Sequence, residues 1–428
     1  MNPILIKPSG TRHSQVVVMG RPYADVSARS YQELKDELRP FVVGALADLR
    51  ARFDVVVCEG AGSPAEINLR AADLTNMGLA RAADLPVILV GDIDRGGVFA
   101  SLIGTLVALA PEDQRHIAGY IINKFRGDET ILAPGLERLA TLTGRPTLGV
   151  LPFVDGLGVD AEDSLAIEAP RADRDGADGT IDVAVLRLRW MSNFTDLDAL
   201  AREPGVRVRF TRSPVDIARA DLVVLPGTKA TVEDLGRLRA DRLDAALAAR
   251  SAVGDPILGI CGGYQLLGTT IDDDVESRAG TVAGLGLLPV RTTFAAEKVL
   301  RPTSGHSALL GSDVGGYEIR HGRPVVEGAA GLIVADDGTP EGCVAGATIG
   351  SSWHGLLEHD DARRALLRWV AAHRALDFVP APGVSFAAER ERQLDALGDL
   401  VGAHVDTDRL AALIEGGVPT DLPDLLLE

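Results

Sequence analysis

Cysteine, positive charge and long apolar runs are all scarce in this sequence, and each shortage excludes something. Cysteine occurs three times in 428 residues, as Cys58, Cys261 and Cys343. Three thiols so far apart cannot form a disulfide framework, which points to a reducing compartment. Lys and Arg number 43 against 61 Asp and Glu, for a net charge of −18. A nucleic-acid binder needs a basic face, and an anionic membrane would repel this surface, so neither partner is expected. No charge-free apolar stretch approaches the length that crosses a bilayer. The opening residues, MNPILIKPSGTRHSQ, have neither a long apolar core nor a small-residue cleavage site, so they do not read as a signal peptide. The expectation is a soluble, cytoplasmic protein.

Apolar residues are plentiful, at 46%, enough for two full cores. Strand-like runs alternate with helical patterns. FDVVVCEG, LPVILVGDID and IAGYIINKF are nearly continuously apolar and end in polar turns, as parallel strands covered on both faces do. LTNMGLARAAD and VFASLIGTLVALAP between them are helical. This rhythm predicts a doubly wound α/β domain over residues 1–167. EAPRADRDGADGT is charged and aperiodic, and residues 168–180 read as a linker. A second doubly wound α/β domain, 181–375, carries IDVAVLRL, ADLVVLPGT, DPILGICGG and GATIGSSWHG. Two amphipathic helices, ERERQLDALGDLVGAHV and TDRLAALIEGG, form a tail over 376–428.

DPILGICGGYQLLG is the most informative stretch. A strand runs into a tight turn at Cys261, and a helix begins near Tyr264. Gly259, Gly262 and Gly263 surround the cysteine. An elbow that presents a nucleophile needs such residues, because its backbone is strained and must approach a substrate. The helix start beyond it favours the thiolate. His354, in SSWHGLLEHD, lies just past another apolar run and is the candidate base, with His359 five residues away as a rival. Backbone N–H groups of Gly227, in VVLPGTKAT, and of Gly262 are the candidate oxyanion donors. Cys58 and Cys343 sit among apolar and small residues with no elbow and read as buried structural thiols.

Three turns at successive strand ends speak to a second chemistry. Glu59 follows the first run, Asp92 and Asp94 the second, and Asn123 and Lys124 the third. Each acid alone reads equally well as a helix cap. Together they would lie on the carboxyl edge of a parallel sheet, where ligands bind. Carboxylates there suit magnesium, which bridges phosphates, with Glu59 the candidate metal ligand. An Asn-Lys pair at a strand end suits a purine edge.

LGICGGYQLLG, with LPGTK upstream and WHG downstream, resembles the class I glutamine amidotransferases. The resemblance implies that Cys261 attacks the glutamine amide, His354 is the base, Gly227 is an oxyanion donor and Gln265 contacts the bound glutamine. Many class I members have a glutamate two residues after the histidine. Leu356 stands there, which suits the cobyrinate-amidating branch and its Cys–His pair and leaves the role of Glu358 open. MNPILIKP, QVVVMGRP, CEGAGSPAEINL, DIDRGGVFASLIGT, INKFRGD, SNFTDLDAL, GYEIRHGR and the RERQLDAL tail extend the resemblance to the cobyric acid synthase family over nearly the whole chain. Arg320 departs from it, since histidine is more usual there. The family implies amidation of four carboxylates (b, d, e, g) of adenosylcobyrinic acid a,c-diamide, in cobalamin biosynthesis. Each would consume one ATP, with magnesium, and one glutamine; no tightly bound prosthetic group is expected.

The family's first domain is P-loop NTPase-like, of the dethiobiotin synthetase kind, and opens on a GxxxxGK[ST] loop whose N–H groups wrap phosphates. No such string occurs in the chain. The first domain is therefore expected to be incomplete, with Met1 an internal methionine of a longer protein or a late-placed start. Two alternatives remain at this point: a relative that amidates another carboxylate, such as a cell-wall precursor, and a non-catalytic remnant.

Overall fold

The computed structural model describes residues 2–8, 14–70, 73–154, 157 and 180–425. They fall into two compact units, Met1–Gly158 joined by Gln393–Glu428, and Val159–Arg392. The stretch read as a linker lies almost wholly outside the described residues.

The first unit opens with an antiparallel meander of β1 (Ile4–Pro8), β2 (Ser14–Val18) and β3 (Arg21–Val26). Helix α1 (Ala28–Arg52) follows, its start closed by a capping box between Ser27 and Ser30. Then come α2 (Met77–Ala83), β4 (Val87–Asp92), α3 (Val98–Ala108), β5 (Ile117–Phe125), α4 (Glu129–Thr143) and β6 (Thr147–Pro152). β4, β5 and β6 pair in parallel in that order, around a core of Met77, Leu106, Ile117, Tyr120, Ile122 and Leu139. The strands expected from LPVILVGDID and IAGYIINKF are present. Arg145 is fully buried and donates to the carbonyls of Ile117 (2.9 Å), Gln114 (2.8 Å) and Pro423 (2.9 Å), which gives otherwise dry loop oxygens a partner.

FDVVVCEG is not a strand. α1 extends through Arg52, and residues 53–60 join no sheet among the described residues. Val55 and Val57 are 50% and 89% exposed, and Cys58 is exposed rather than buried. An apolar run becomes a central parallel strand only where neighbouring ladders satisfy its backbone. Among the described residues β4 pairs with β5 alone, and this run does not add to its open edge.

The second unit contains β7 (Ile181–Leu186), β8 (Val206–Thr211), β9 (Leu222–Leu225), α5 (Thr231–Ala240), β10 (Ile257–Ile260) and α6 (Gly262–Leu267). A long hairpin, β11 (Val290–Ser307) and β12 (Ser312–Val326), precedes β13 (Cys343–Ala345), β14 (Thr348–Ser351) and α7 (Asp360–Arg374). The main sheet runs β13-β14-β10-β9-β7-β8, parallel except at β13. Successive residues of its strands enter opposite cores. Val183, Val185, Leu222 and Val224 join α7 residues Leu366 and Val370 on one face. Ala184, Leu186, Val223 and Leu225 join Leu235, Leu238, Tyr264 and Leu267 on the other. Burial on both faces explains why these strands read as unbroken apolar runs. The tail forms α8 (Phe386–His404) and α9 (Thr407–Gly416), the two helices expected there. Among the described residues no helix is long and apolar enough to cross a membrane.

Candidate active site

Cys261 sits between β10 and α6 with φ +49° and ψ −108°. A side chain rarely adopts such a backbone, and the conformation persists only where the surroundings over-determine it. They do so here. A Cβ on Gly263 would stand 2.0 Å from the Leu225 carbonyl oxygen, and one on Gly262 would stand 2.9 Å from the Thr228 nitrogen. Only glycine lets the elbow press against the end of β9. The Cys261 thiol points at the Ile319 carbonyl of β12, 3.8 Å away.

His354, just past β14, is 1% exposed, and its Nδ1 lies 2.7 Å from Asp196 Oδ2. Asp196 Oδ1 accepts the Gly355 N–H at 2.8 Å. The ring stacks on Tyr317, centroids 5.2 Å apart, and the Tyr317 hydroxyl accepts from the Asn193 amide at 2.6 Å. Backbone bonds from Tyr317 to His354 (3.1 Å) and back (2.9 Å) hold the two residues together. Burial alone would lower the His354 pKa; the Asp196 carboxylate and the Cys261 sulfur outweigh it and push it up to about 10. Burial, with Asp196 adding, pushes the Tyr317 hydroxyl up to about 12. His359, the rival histidine, is exposed.

Gly227 lies against this pair: a Cβ there would stand 3.1 Å from His354 Cε1. Asp234 braces its loop, accepting from the Arg189 and Trp190 N–H groups (2.9 and 3.2 Å) and from the Thr228 hydroxyl. Gln265 is buried on α6, and a Cβ on Gly322 would stand 2.7 Å from its Nε2. The structure thus brings Cys261, His354, Gly227, Gly262 and Gln265 around one elbow. Arg320 has a packing role. It donates to the fully buried Glu318 at 3.1 Å, and Glu318 also accepts from Trp353 and Arg301, each at 3.1 Å. Burial alone would raise the Glu318 pKa, and the two arginines more than reverse it.

Asp196 carries no local signal of a catalytic role. It lies in SNFTDLDAL, noticed only as a resemblance, and meets a histidine 158 residues away. Leu356, where a glutamate was sought, belongs to the apolar core, and Glu358 is exposed.

In the first unit, Asp92 and Asn123 are register partners at the carboxyl ends of β4 and β5. Lys124 Nζ donates to Asp92 at 2.9 Å, and Arg126 Nε donates to Asp94 at 3.2 Å. The Lys124 ammonium holds the Asp92 carboxyl below its usual range. Lys124 itself has φ +63°, an uncommon backbone for a side-chain-bearing residue. The structure therefore gathers Asp92, Asp94, Asn123 and Lys124 at one edge. Glu59 joins no ladder among the described residues and is exposed. Nucleotide-borne magnesium needs only one or two protein carboxylates, since phosphates and waters fill the rest. Asp92 and Asp94 fit that requirement.

A strained cysteine against a buried histidine is the arrangement of a thiol-nucleophile transferase or hydrolase, and similarity to known proteins specifies which. A CobB/CobQ-like glutamine amidotransferase domain matches residues 182–362, and an AAA domain matches residues 5–160. The cobyric acid synthase of Streptomyces coelicolor is 55% identical over 430 residues, covering 99% of this chain and 84% of that protein. The cobyric acid synthase of Nocardia farcinica is 55% identical over 443 residues, covering 99% and 85%. The chain belongs to the cobyric acid synthase family. It is a glutamine-dependent, ATP-using amide ligase of cobalamin biosynthesis.

Proposed function

We propose that this chain hydrolyses glutamine at Cys261 and uses the ammonia to amidate the b, d, e and g carboxylates of adenosylcobyrinic acid a,c-diamide. The buried pairing of the Cys261 elbow with His354 carries this reading. The cysteine sulfur gives its proton to His354 and attacks the side-chain amide carbon of glutamine. Gly227 and Gly262 N–H groups would stabilise the oxyanion. His354 returns the proton to the leaving nitrogen, the C–N bond breaks, and ammonia departs from a γ-glutamyl thioester. His354 then takes a proton from water, whose oxygen attacks the thioester; the C–S bond breaks, His354 returns the proton to the Cys261 sulfur, and glutamate leaves. Gln265 would contact the bound glutamine.

ATP converts each corrinoid carboxylate into an acyl phosphate that ammonia can attack. Asp92 and Asp94 would hold the magnesium of that nucleotide, and Asn123 and Lys124 would meet the nucleotide itself. Glu59 is proposed as a further magnesium or phosphate-edge acid, from its place after the run 53–58. Three free thiols support a reducing, cytoplasmic setting. The test is amidation by Cys261→Ala with either nitrogen source. Loss with glutamine and retention with ammonium salts is expected; retention with glutamine would overturn the assignment of Cys261.

A further inference from the structure

We infer that Asp196 is the positioning residue of the glutamine-hydrolysing centre, setting the tautomer and charge of His354. The inference rests on the proposed roles of Cys261 and His354, which it completes. The carboxylate is held at both oxygens, Oδ2 by His354 Nδ1 at 2.7 Å and Oδ1 by the Gly355 N–H at 2.8 Å. Turning it would break one of these bonds. Both side chains are nearly dry, 6% exposed for Asp196 and 1% for His354, so water screens the pair little. Asp196 arrives on a short turn, Phe194–Leu197, entered through Asn193 at φ +54°, and the Asn193 amide pins the tyrosine that stacks on the imidazole. Two neighbouring residues of one segment therefore orient the same ring.

The groups facing His354 are Asp196, Cys261 and Tyr317, with the exposed Glu358 beyond Tyr317. Of these, Asp196 holds Nδ1. The nitrogen left for the cysteine is Nε2, the atom that must accept the thiol proton and then deliver it to the departing nitrogen. The Nδ1 hydrogen is directed at the Asp196 carboxylate, which leaves Nε2 to exchange the proton with the sulfur, and the imidazolium is stabilised where it stands. The carboxylate takes no proton itself. Leu356, two residues past the histidine, belongs to the apolar core, and the acid that meets Nδ1 comes from 158 residues upstream.

The test compares glutamine hydrolysis by the full chain with Asp196→Asn, Asp196→Glu and Cys261→Ala, over a pH series. Asp196→Asn should lower kcat by about 10²–10⁴-fold, with little change in KM for glutamine. Its bell-shaped profile should narrow by about one pH unit or more, because the imidazolium loses the carboxylate that stabilises it. Iodoacetamide alkylation of Cys261 at neutral pH should be slower in Asp196→Asn than in the parent, independently of turnover. Asp196→Glu, which keeps the charge, should return both limbs toward those of the parent. Asp196→Asn that retains kcat within about twofold would overturn the inference. So would a fall in rate with both limbs unmoved, the mark of a merely structural residue. If Asp196→Asn fails to fold, Asp196→Glu decides by whether its limbs match the parent's or move with its rate. Hydrolysis that survives in Cys261→Ala would overturn the underlying reading and not this inference.

Discussion

The two units set their chemistry on the same feature, the carboxyl ends of parallel strands, but at different depths. In the second unit Cys261, His354 and Asp196 are all buried, and both faces of the supporting sheet carry full cores. In the first, the Asp92 and Lys124 side chains are 28% and 47% exposed, and the charges neutralise one another in pairs. A thioester centre needs its proton relay aligned beforehand, because misplacement by an ångström is costly. A nucleotide edge works with mobile charge that phosphates and metal can capture, and ion pairs in water are weak enough to be exchanged. On the proposed roles, the buried centre is preorganised by its fold and the exposed edge takes its final shape from its ligand.

The strongest attempt to break this comparison is Cys261→Ala, which should lower glutamine-driven amidation by at least about 10³-fold and leave ammonia-driven amidation intact. Next, Lys124→Met should slow amidation from either nitrogen source by about 10–10²-fold. Uncoupled glutamine hydrolysis should stay within about twofold, since Lys124 belongs to the other unit and shares no partner with Cys261 or His354. Equal damage to both activities would dissolve the distinction between the units. Gly263→Ala probes the preorganisation directly. Its Cβ would stand 2.0 Å from the Leu225 oxygen, so a loss of about 1–3 kcal/mol in stability is expected from urea or thermal unfolding.

A smaller effect should appear with pH. The His354 pKa is raised to about 10 in the fold, above its unfolded value. Its stabilising contribution is therefore complete below about pH 6.5 and is lost as pH rises through 10. Urea unfolding at neutral and alkaline pH should show this loss in the parent chain and a reduced loss in Asp196→Asn. The least effect is expected from Glu358→Gln. That acid is exposed and Asp196 already occupies Nδ1, so hydrolysis should stay within about twofold of the parent.

What was legible in the sequence was local. The Cys261 elbow shows itself because strand, glycines and helix follow one another within a dozen residues, and their geometry is set by near neighbours. The doubly wound second unit is legible because burial on both faces leaves unbroken apolar runs. Asp196 was not legible, since its partner is reached only through the fold, and an aspartate before a helix reads as a cap. FDVVVCEG misled for a related reason. Its apolarity is local, but a strand is defined by its ladder, and the backbone of 53–60 meets none among the described residues. Residues 122–128 fall between: the turn was visible, while the pairing of Lys124 with Asp92 and of Arg126 with Asp94 required the sheet.

The central claim is that amide nitrogen reaches the corrinoid by way of Cys261. The direct measurement supplies glutamine labelled at its side-chain nitrogen, with ATP, magnesium and adenosylcobyrinic acid a,c-diamide, and reads the label in the product by mass spectrometry. Label in the new corrinoid amides with the parent chain, none with Cys261→Ala, and unlabelled amide from added ammonia with both is the result expected. Labelled product from Cys261→Ala at the parent's rate would contradict it.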